Sequence, residues 1–171
     1  IRQQVQVAHC RPGTESVRQF ARNFTFLYVG PGNWACKSNL FPIIIVAPQM
    51  ASRGGGSVTI ISSIAGLKAT PKLGAYALSK AADMQLARSL AVEWGRSNVR
   101  VNCIAPGLVR TEMARVLWDD PEKLARAENA YPLGRIGDPI DIAGTAVFLA
   151  SAASDYVTGA SIPVDGGYTS F

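Results

Sequence analysis

Residues 74–104 read GAYALSKAADMQLARSLAVEWGRSNVRVNCI, and the way this stretch divides decides the fold. Ala75, Leu78, Ala82, Leu86, Ala87, Leu90 and Trp94 recur at spacings of three and four. That is the period of one helical face, so a helix is expected over 74–95, stopped by Gly95. Val99–Ile104 (VRVNCI) then reads as a short strand, broken by Pro106-Gly107. Upstream, Ser57–Ser62 (SVTIIS) follows a Gly54-Gly55-Gly56 turn and has the β-branched content of a buried strand. Downstream, Pro139–Ala150 predicts a helix with Asp138 as N-cap and Pro139 in the first turn. Ser161–Val164 is a last strand, ended by Asp165-Gly166-Gly167. Strand, helix, strand, helix, strand implies parallel strands joined by crossovers. The fold class is therefore α/β, a parallel sheet layered by helices.

The front of the chain is less regular. Residues 1–38 hold no sustained period of 2 or 3.6. Asn23–Val29 (NFTFLYV) reads as one strand, ended by Gly30-Pro31-Gly32. Residues 39–52 fit a helix, but Pro42 and the apolar run Ile43–Val46 argue equally for a strand. Residues 112–130 read as a mobile, partly helical insert. The chain divides into an atypical segment, 1–52, and a well-patterned part, 53–171, within one domain overall. There is no internal repeat and no low-complexity tract.

Composition narrows the function classes. A chain of 171 residues with 48% hydrophobic and 17% charged content is globular. The longest apolar run, Leu40–Ala47, is interrupted by Pro42 and falls well short of the roughly 20 residues that cross a bilayer. No basic leader or cleavable apolar segment is visible, so secretion is not indicated. Cys10, Cys36 and Cys103 are odd in number and lack a CxxC spacing. Neither a disulfide framework nor a metal site is expected, and a reducing, cytoplasmic setting is the default. His9 is the only histidine and reads as a surface residue. The net charge of +5 lies entirely in residues 1–55, which carry six basic groups against Glu15. These are dispersed and follow no helical period, which argues against a nucleic-acid partner.

The chemistry-bearing residues gather around the helix. Tyr76 and Lys80 stand at i and i+4, on one face near its N-terminus. Read alone, such a pair is also what a solvated helix surface shows. An ammonium beside a phenol favours the phenolate, which makes Tyr76 a candidate acid or base. Ser62-Ser63 ends the preceding strand, and an open α/β sheet places its ligands at the C-terminal ends of its strands. Ser63 precedes Tyr76 by 13 residues, enough for the loop between them to fold the two together. Pro106-Gly107-Leu108-Val109-Arg110-Thr111 leaves the next strand on the same edge, so three pieces converge on one crevice.

GGGSVTIISSIAG, YALSKAA, VRVNCIAPGLVRTEM, PLGRIGDPIDIAGTAVFLAS and YVTGASIPVDGG, spread over about 53–169, together resemble the C-terminal half of a small, single-domain short-chain dehydrogenase/reductase. The segment APGLVRT…VLW is similar to that of carbonyl reductases of the dehydrogenase/reductase-4 type. The resemblance implies a Rossmann-like fold and an NAD- or NADP-dependent oxidoreductase that interconverts a carbonyl and an alcohol. It implies that Tyr76 exchanges the proton with the substrate oxygen and that Ser63 holds that oxygen. Lys80 would favour the phenolate and hydrogen-bond the nicotinamide ribose. Pro106 and Gly107 would pack beside the nicotinamide. Val109 would meet its carboxamide through backbone groups, and Thr111 would help hold the carboxamide or pyrophosphate. Residues 108–135 would cover a small-molecule carbonyl or alcohol substrate, with Trp118 either touching it or packing. The long helix, with its small residues Ala75, Ala81, Ala82, Ala87 and Ala91, would pair across a homodimer or homotetramer. No nucleic-acid or membrane partner is implied.

The sequence departs from that family at its front. The Gly-rich TGxxxGxG turn that lets backbone approach a pyrophosphate is absent, and Gly30-Pro31-Gly32 does not replace it. The NNAG segment and the residue that chooses NAD or NADP are missing as well. Asn39, 24 residues before Ser63, is the nearest counterpart of the family's helix asparagine, but lies closer than the pattern places it. Three explanations compete: a degenerate N-terminal half, a truncated or frame-shifted product, or a reduced front that still cradles a nucleotide. The rival to an active enzyme is a catalytically silent remnant that keeps fold and oligomer surface. A sugar-nucleotide epimerase or dehydratase shares YxxxK, but the short VDGG ending without an added substrate domain argues against it.

Overall fold

The computed structural model describes residues 3–8, 24–29, 35–69, 71 and 73–170, with side chains at residue 43 and from residue 45 onward. Gly30-Pro31-Gly32, His9 and Cys10 lie outside the described residues, as do the side chains of Cys36 and Asn39. One five-stranded sheet runs in the order β2-β1-β3-β4-β5. Strands β3 (Gly56–Ile61), β4 (Val99–Pro106) and β5 (Ser161–Val164) are parallel neighbours, with Ile61 opposite Ile104 and Ile104 opposite Ile162. This is the arrangement that the strand–helix–strand pattern implies.

The front of the sheet differs from a wholly parallel one. Strand β1 (Gln3–Ala8) pairs antiparallel with both β2 (Phe24–Val29) and β3. Only β2 was legible as a strand. The six residues QQVQVA are too short for a period of two to stand out, and three of them are glutamine.

Residues 35–52 form a helix, α1 (Ala35–Ser52), which settles the ambiguity around Pro42. Ile43, Ala47 and Met50 are fully buried and Val46 packs beside them, whereas Ile45, Pro48 and Gln49 are exposed. The apolar run looked strand-like because four such residues stand in a row. Among the described side chains of this helix, those at 43, 46, 47, 50 and 51 reach the core, and that is helical spacing.

Helix α2 (Gly74–Trp94) packs on the same sheet face as α1, and α5 (Pro139–Ala150) covers the other. Strand β4 serves both layers. Val99, Val101, Cys103 and Ala105 join the α1/α2 core, while Ile104 turns toward Ala146 and Leu149 of α5, as alternation along a strand requires. The buried face of α2 carries Lys80, Asp83, Met84, Ala87, Leu90 and Ala91. It is rotated from the apolar stripe read in the sequence: Ala75 is exposed and Leu78 is 73% exposed.

Polar ties anchor α5. Ser57 Oγ and Arg100 Nη1 both donate to the Leu149 carbonyl, at 2.6 and 2.9 Å, satisfying an oxygen left open in the last turn. Asn102, fully buried, donates to Val157 O at 2.8 Å and accepts from Ala160 N–H at 3.0 Å, joining β4 to the approach to β5. Thr158 Oγ1 accepts from Val101 N–H at 3.0 Å, in keeping with a structural Thr158-Gly159. The expected turn after β5 is present: Gly166 and Gly167 have φ of 60° and 87°. The Asp165 carboxylate accepts from the Gly167 and Thr169 N–H groups and from the Thr169 hydroxyl.

Candidate active site

Leaving β3, the chain turns at Ser63, whose Oγ accepts from Ala65 N–H at 3.2 Å and caps a single 3-10 turn, Ile64–Gly66. That turn lies hard against α2. A Cβ on Gly66 would stand 2.7 Å from both Ala81 N and Lys80 C, so only glycine fits this close approach. Ser62, buried, donates to the Lys80 carbonyl at 2.7 Å. The end of β3 and the second turn of α2 are thus clamped together at Lys80. Neither Gly66 nor Ser62 carried a role in the sequence reading, because the atoms they meet lie on another element.

Tyr76, half-buried, sits one turn earlier on α2, and Ser79 Oγ donates to its carbonyl at 2.7 Å. Lys80 is 4% exposed. Its Nζ donates to the Ile61 carbonyl at 3.1 Å and to Asp83 Oδ2 at 3.4 Å, and lies 5.7 Å from the centroid of the Tyr76 ring. Burial lowers the lysine's pKa from its ordinary 10.5, because a low-dielectric surrounding disfavours the charged form, and the neighbouring Asp83 carboxylate opposes that shift. The pair is therefore no solvated surface pair: its cation is inside the protein, at the C-terminal end of β3.

The next strand ends alongside. Pro106 is opposite Val164, and Gly107 N–H donates to the Val164 carbonyl at 3.1 Å. A Cβ on Gly107 would lie 3.0 to 3.1 Å from Asp165 and Tyr131, which gives this glycine a packing reason. Val109 forms a parallel bridge with Gly137: Gly137 N–H donates to Leu108 O at 2.9 Å, and Arg110 N–H donates to Gly137 O at 2.8 Å. Because bonds alternate along a strand edge, the amide and carbonyl of Val109 itself face the opposite edge. Thr111 Oγ1 accepts from Ala114 N–H at 3.3 Å and caps a second 3-10 turn, Glu112–Ala114.

The segment that follows is folded back on this edge. Helix α3 (Arg115–Trp118) places Trp118 so that its Nε1 donates to Thr111 O at 3.2 Å, with the Arg110 guanidinium 5.3 Å from its ring. Helix α4 (Pro121–Asn129) is capped by Asp120, which accepts from the N–H groups of Glu122 and Lys123. The Tyr131 hydroxyl accepts from Leu108 N–H at 2.7 Å, closing the segment into a loop. Sequence reading missed Tyr131, since its partner is 23 residues away. A cavity of about 210 Å³ opens between Gly107, Leu108, Tyr131, Leu133, Ile142 and Asp165; Ser63, Tyr76 and Lys80 do not line it.

Among the described residues, no group of three or more His, Cys, Asp or Glu could hold a metal ion. Cys103 is free and fully buried, and burial pushes its thiol up to about 12. Ser63, Tyr76 and Lys80 thus gather at the β3–α2 crossover. Pro106, Gly107, Val109 and Thr111 follow from the end of the adjacent parallel strand.

Residues 35–169 match the family model described as enoyl-(acyl carrier protein) reductase, and dehydrogenase/reductase SDR family member 4 of Bos taurus is 48% identical over 122 residues. The chain belongs to the short-chain dehydrogenase/reductase family. The human protein of the same name is 44% identical over 122 residues. Each alignment covers 71% of this chain and 44% of the relative, so the chain spans less than half the length of these relatives. Among solved structures, a gluconate 5-dehydrogenase from Burkholderia cenocepacia, in complex with NADP and tartrate, superimposes with a TM-score of 0.78 at 36% identity, over 80% of this chain and 54% of that one. A short-chain type dehydrogenase/reductase from Mycobacterium ulcerans gives 0.75 at 39% identity, over 77% of this chain and 48% of that one. These neighbours are Rossmann-fold members of the family. Among the described residues no helix is long and apolar enough to cross a membrane.

Proposed function

We propose that this chain carries the proton-transfer half of an oxidoreductase that interconverts a carbonyl and an alcohol with NAD or NADP. The observation that carries the reading is the Lys80 ammonium, buried 5.7 Å from the Tyr76 ring and hydrogen-bonded to Ile61 O, two residues before Ser63. The residues present suit the nicotinamide end of such a cofactor. Among the described residues the amide and carbonyl of Val109 have no hydrogen-bond partner, which suits a carboxamide, and Pro106, Gly107 and Thr111 leave the same strand end. The pyrophosphate end has no Gly-rich turn in this sequence.

The cofactor, when bound, supplies or takes up the hydride. Tyr76 gives its phenolic proton to the carbonyl oxygen in reduction and takes it back from the alcohol in oxidation. Ser63 Oγ hydrogen-bonds the same oxygen, polarising the carbonyl and fixing its approach. Lys80 stabilises the phenolate and reaches a ribose hydroxyl. Residues 108–135 cover a small-molecule carbonyl or alcohol and exclude water. The chain acts in a reducing, cytoplasmic setting as a homodimer or homotetramer paired through α2. The atypical segment 1–52 and the patterned 53–171 form one domain.

The missing Gly-rich turn and the antiparallel β1 and β2 favour a second reading, a silent remnant that keeps the fold. Calorimetric titration with NADPH and NADH separates the two. Micromolar binding, with turnover of small ketones that Tyr76→Phe abolishes, supports the enzyme. Absence of binding up to millimolar concentrations leaves the silent remnant.

A further inference from the structure

Helix α2 buries a second charged group that the proton transfer described above does not use. Asp83 lies one turn beyond Lys80, its side chain wholly inside the protein, with Oδ2 3.4 Å from Lys80 Nζ. Its neighbours on the buried face, Met84 and Ala87, are apolar. A carboxylate in such a place persists only when paired, and one of its partners is the cation beside Tyr76.

We propose that Asp83 is a positioning residue of the candidate site: its carboxylate keeps Lys80 protonated and held against the end of β3, within reach of the Tyr76 ring. The geometry assigns two contacts to the ammonium, and they do different work. The Ile61 carbonyl fixes where Nζ sits but carries no charge. Asp83 supplies the negative charge that offsets the loss of hydration. The other titratable groups facing this pocket are Tyr76 and Arg88 on α2 and Cys103 on β4. Burial keeps the Cys103 thiol neutral, and Arg88 is exposed and hydrogen-bonded to Gln85. Strand β3 offers Ile61 O and the Ser62 hydroxyl, and the α1 residues in this core, Ile43, Ala47 and Met50, are apolar. Among the described residues, Asp83 is therefore the anion that sets the charge of Lys80. With Asp83 neutralised, burial is unopposed, the amine loses its proton at lower pH, and a neutral amine no longer favours the phenolate.

The inference rests on the reading of Tyr76 as the acid/base, but its test needs no cofactor. Protein labelled with 13Cε-lysine is titrated by NMR from neutral to alkaline pH, with Lys80→Met assigning the signal. In Asp83→Asn the Lys80 midpoint is expected to fall by about one unit or more, a tenfold or larger rise in the neutral fraction. Asp83→Glu is expected to restore most of the wild-type midpoint. An unchanged midpoint in Asp83→Asn overturns the proposal. Should Asp83→Asn fail to fold, thermal unfolding of Lys80→Met and of Lys80→Met/Asp83→Leu gives the second test. The single change is expected to lower the melting temperature and the double change to recover it; equal melting of wild type and Lys80→Met overturns the pairing. A chain that binds no dinucleotide defeats the proposed activity and leaves this titration readable. An unmoved Lys80 midpoint defeats the role of Asp83 and leaves the activity standing.

Discussion

The turn that Ser63 caps has room for nothing larger than a hydrogen atom on Gly66. The 3-10 turn after β3 touches the α2 backbone with no room for a Cβ, and the atoms it would meet are main chain, which cannot rotate away. Gly66→Ala is therefore expected to destabilise the protein by about 1–3 kcal/mol, the usual range for overpacking. It should also shift the turn that Ser63 caps. Chemical denaturation gives the first number. A loss of turnover larger than the loss of folded protein reports the second. Melting at the wild-type temperature would show that the turn shifts freely. Tyr76, Lys80 and Ser63 were legible at this scale because their spacing alone puts them at one end of a helix and one end of a strand. Gly66 was not, because its role lies in what a side chain would strike, and that partner is on another element.

At the scale of the element, α5 shows how local chemistry starts a helix and how far its consequences extend. Asp138 and Pro139 announced its N-terminus correctly. The structure adds Asp141, whose Oδ2 accepts from Asp138 N–H at 2.7 Å while both its oxygens receive the Arg135 guanidinium at 2.7 and 2.9 Å. The guanidinium, together with the Asp138 N–H, holds this carboxyl well below its ordinary 3.8. Its folded value is depressed, so the stabilisation is present above about pH 4, the unfolded value, and is lost as the pH falls toward the folded one. Asp141→Asn is expected to lower stability near neutrality and to speed amide exchange at the first turn of α5, with the difference from wild type shrinking as the pH falls below about 4. Equal stability of the two proteins at neutral pH would mean that α5 holds its start without the cap. The contrast with α1 is instructive. Its helical state followed from burying Ile43, Ala47 and Met50 against the sheet, and no cap signal in the sequence separated it from a strand.

For the whole molecule, the question is what covers the surface that α2 leaves open. Leu78 and Val92 are 73% and 85% exposed, and their separation of 14 residues, close to four turns, puts them on one side of the helix. If α2 pairs between copies as proposed, sedimentation should find the wild-type chain as a dimer or larger, and Leu78→Glu/Val92→Glu as a monomer. A monomeric wild type would remove α2 as an interface and leave both residues as ordinary exposed apolar side chains.

The parallel core β3–α2–β4 with α5 and β5, and the placing of Ser63, Tyr76 and Lys80 at its C-terminal edge, were determined by the sequence itself. Each rests on a period or a punctuation mark carried by near neighbours along the chain. Only the tertiary structure decided that β1 runs antiparallel to β3, that Gly66 lies against Lys80, that Tyr131 closes the 108–131 segment, and that Lys80 and Asp83 face inward together. Period 3.6 allows several faces of α2 to turn inward, and the choice among them depends on the sheet and turn waiting on the other side. Contacts across many residues exist only once the chain has closed on itself, so no local pattern encodes them.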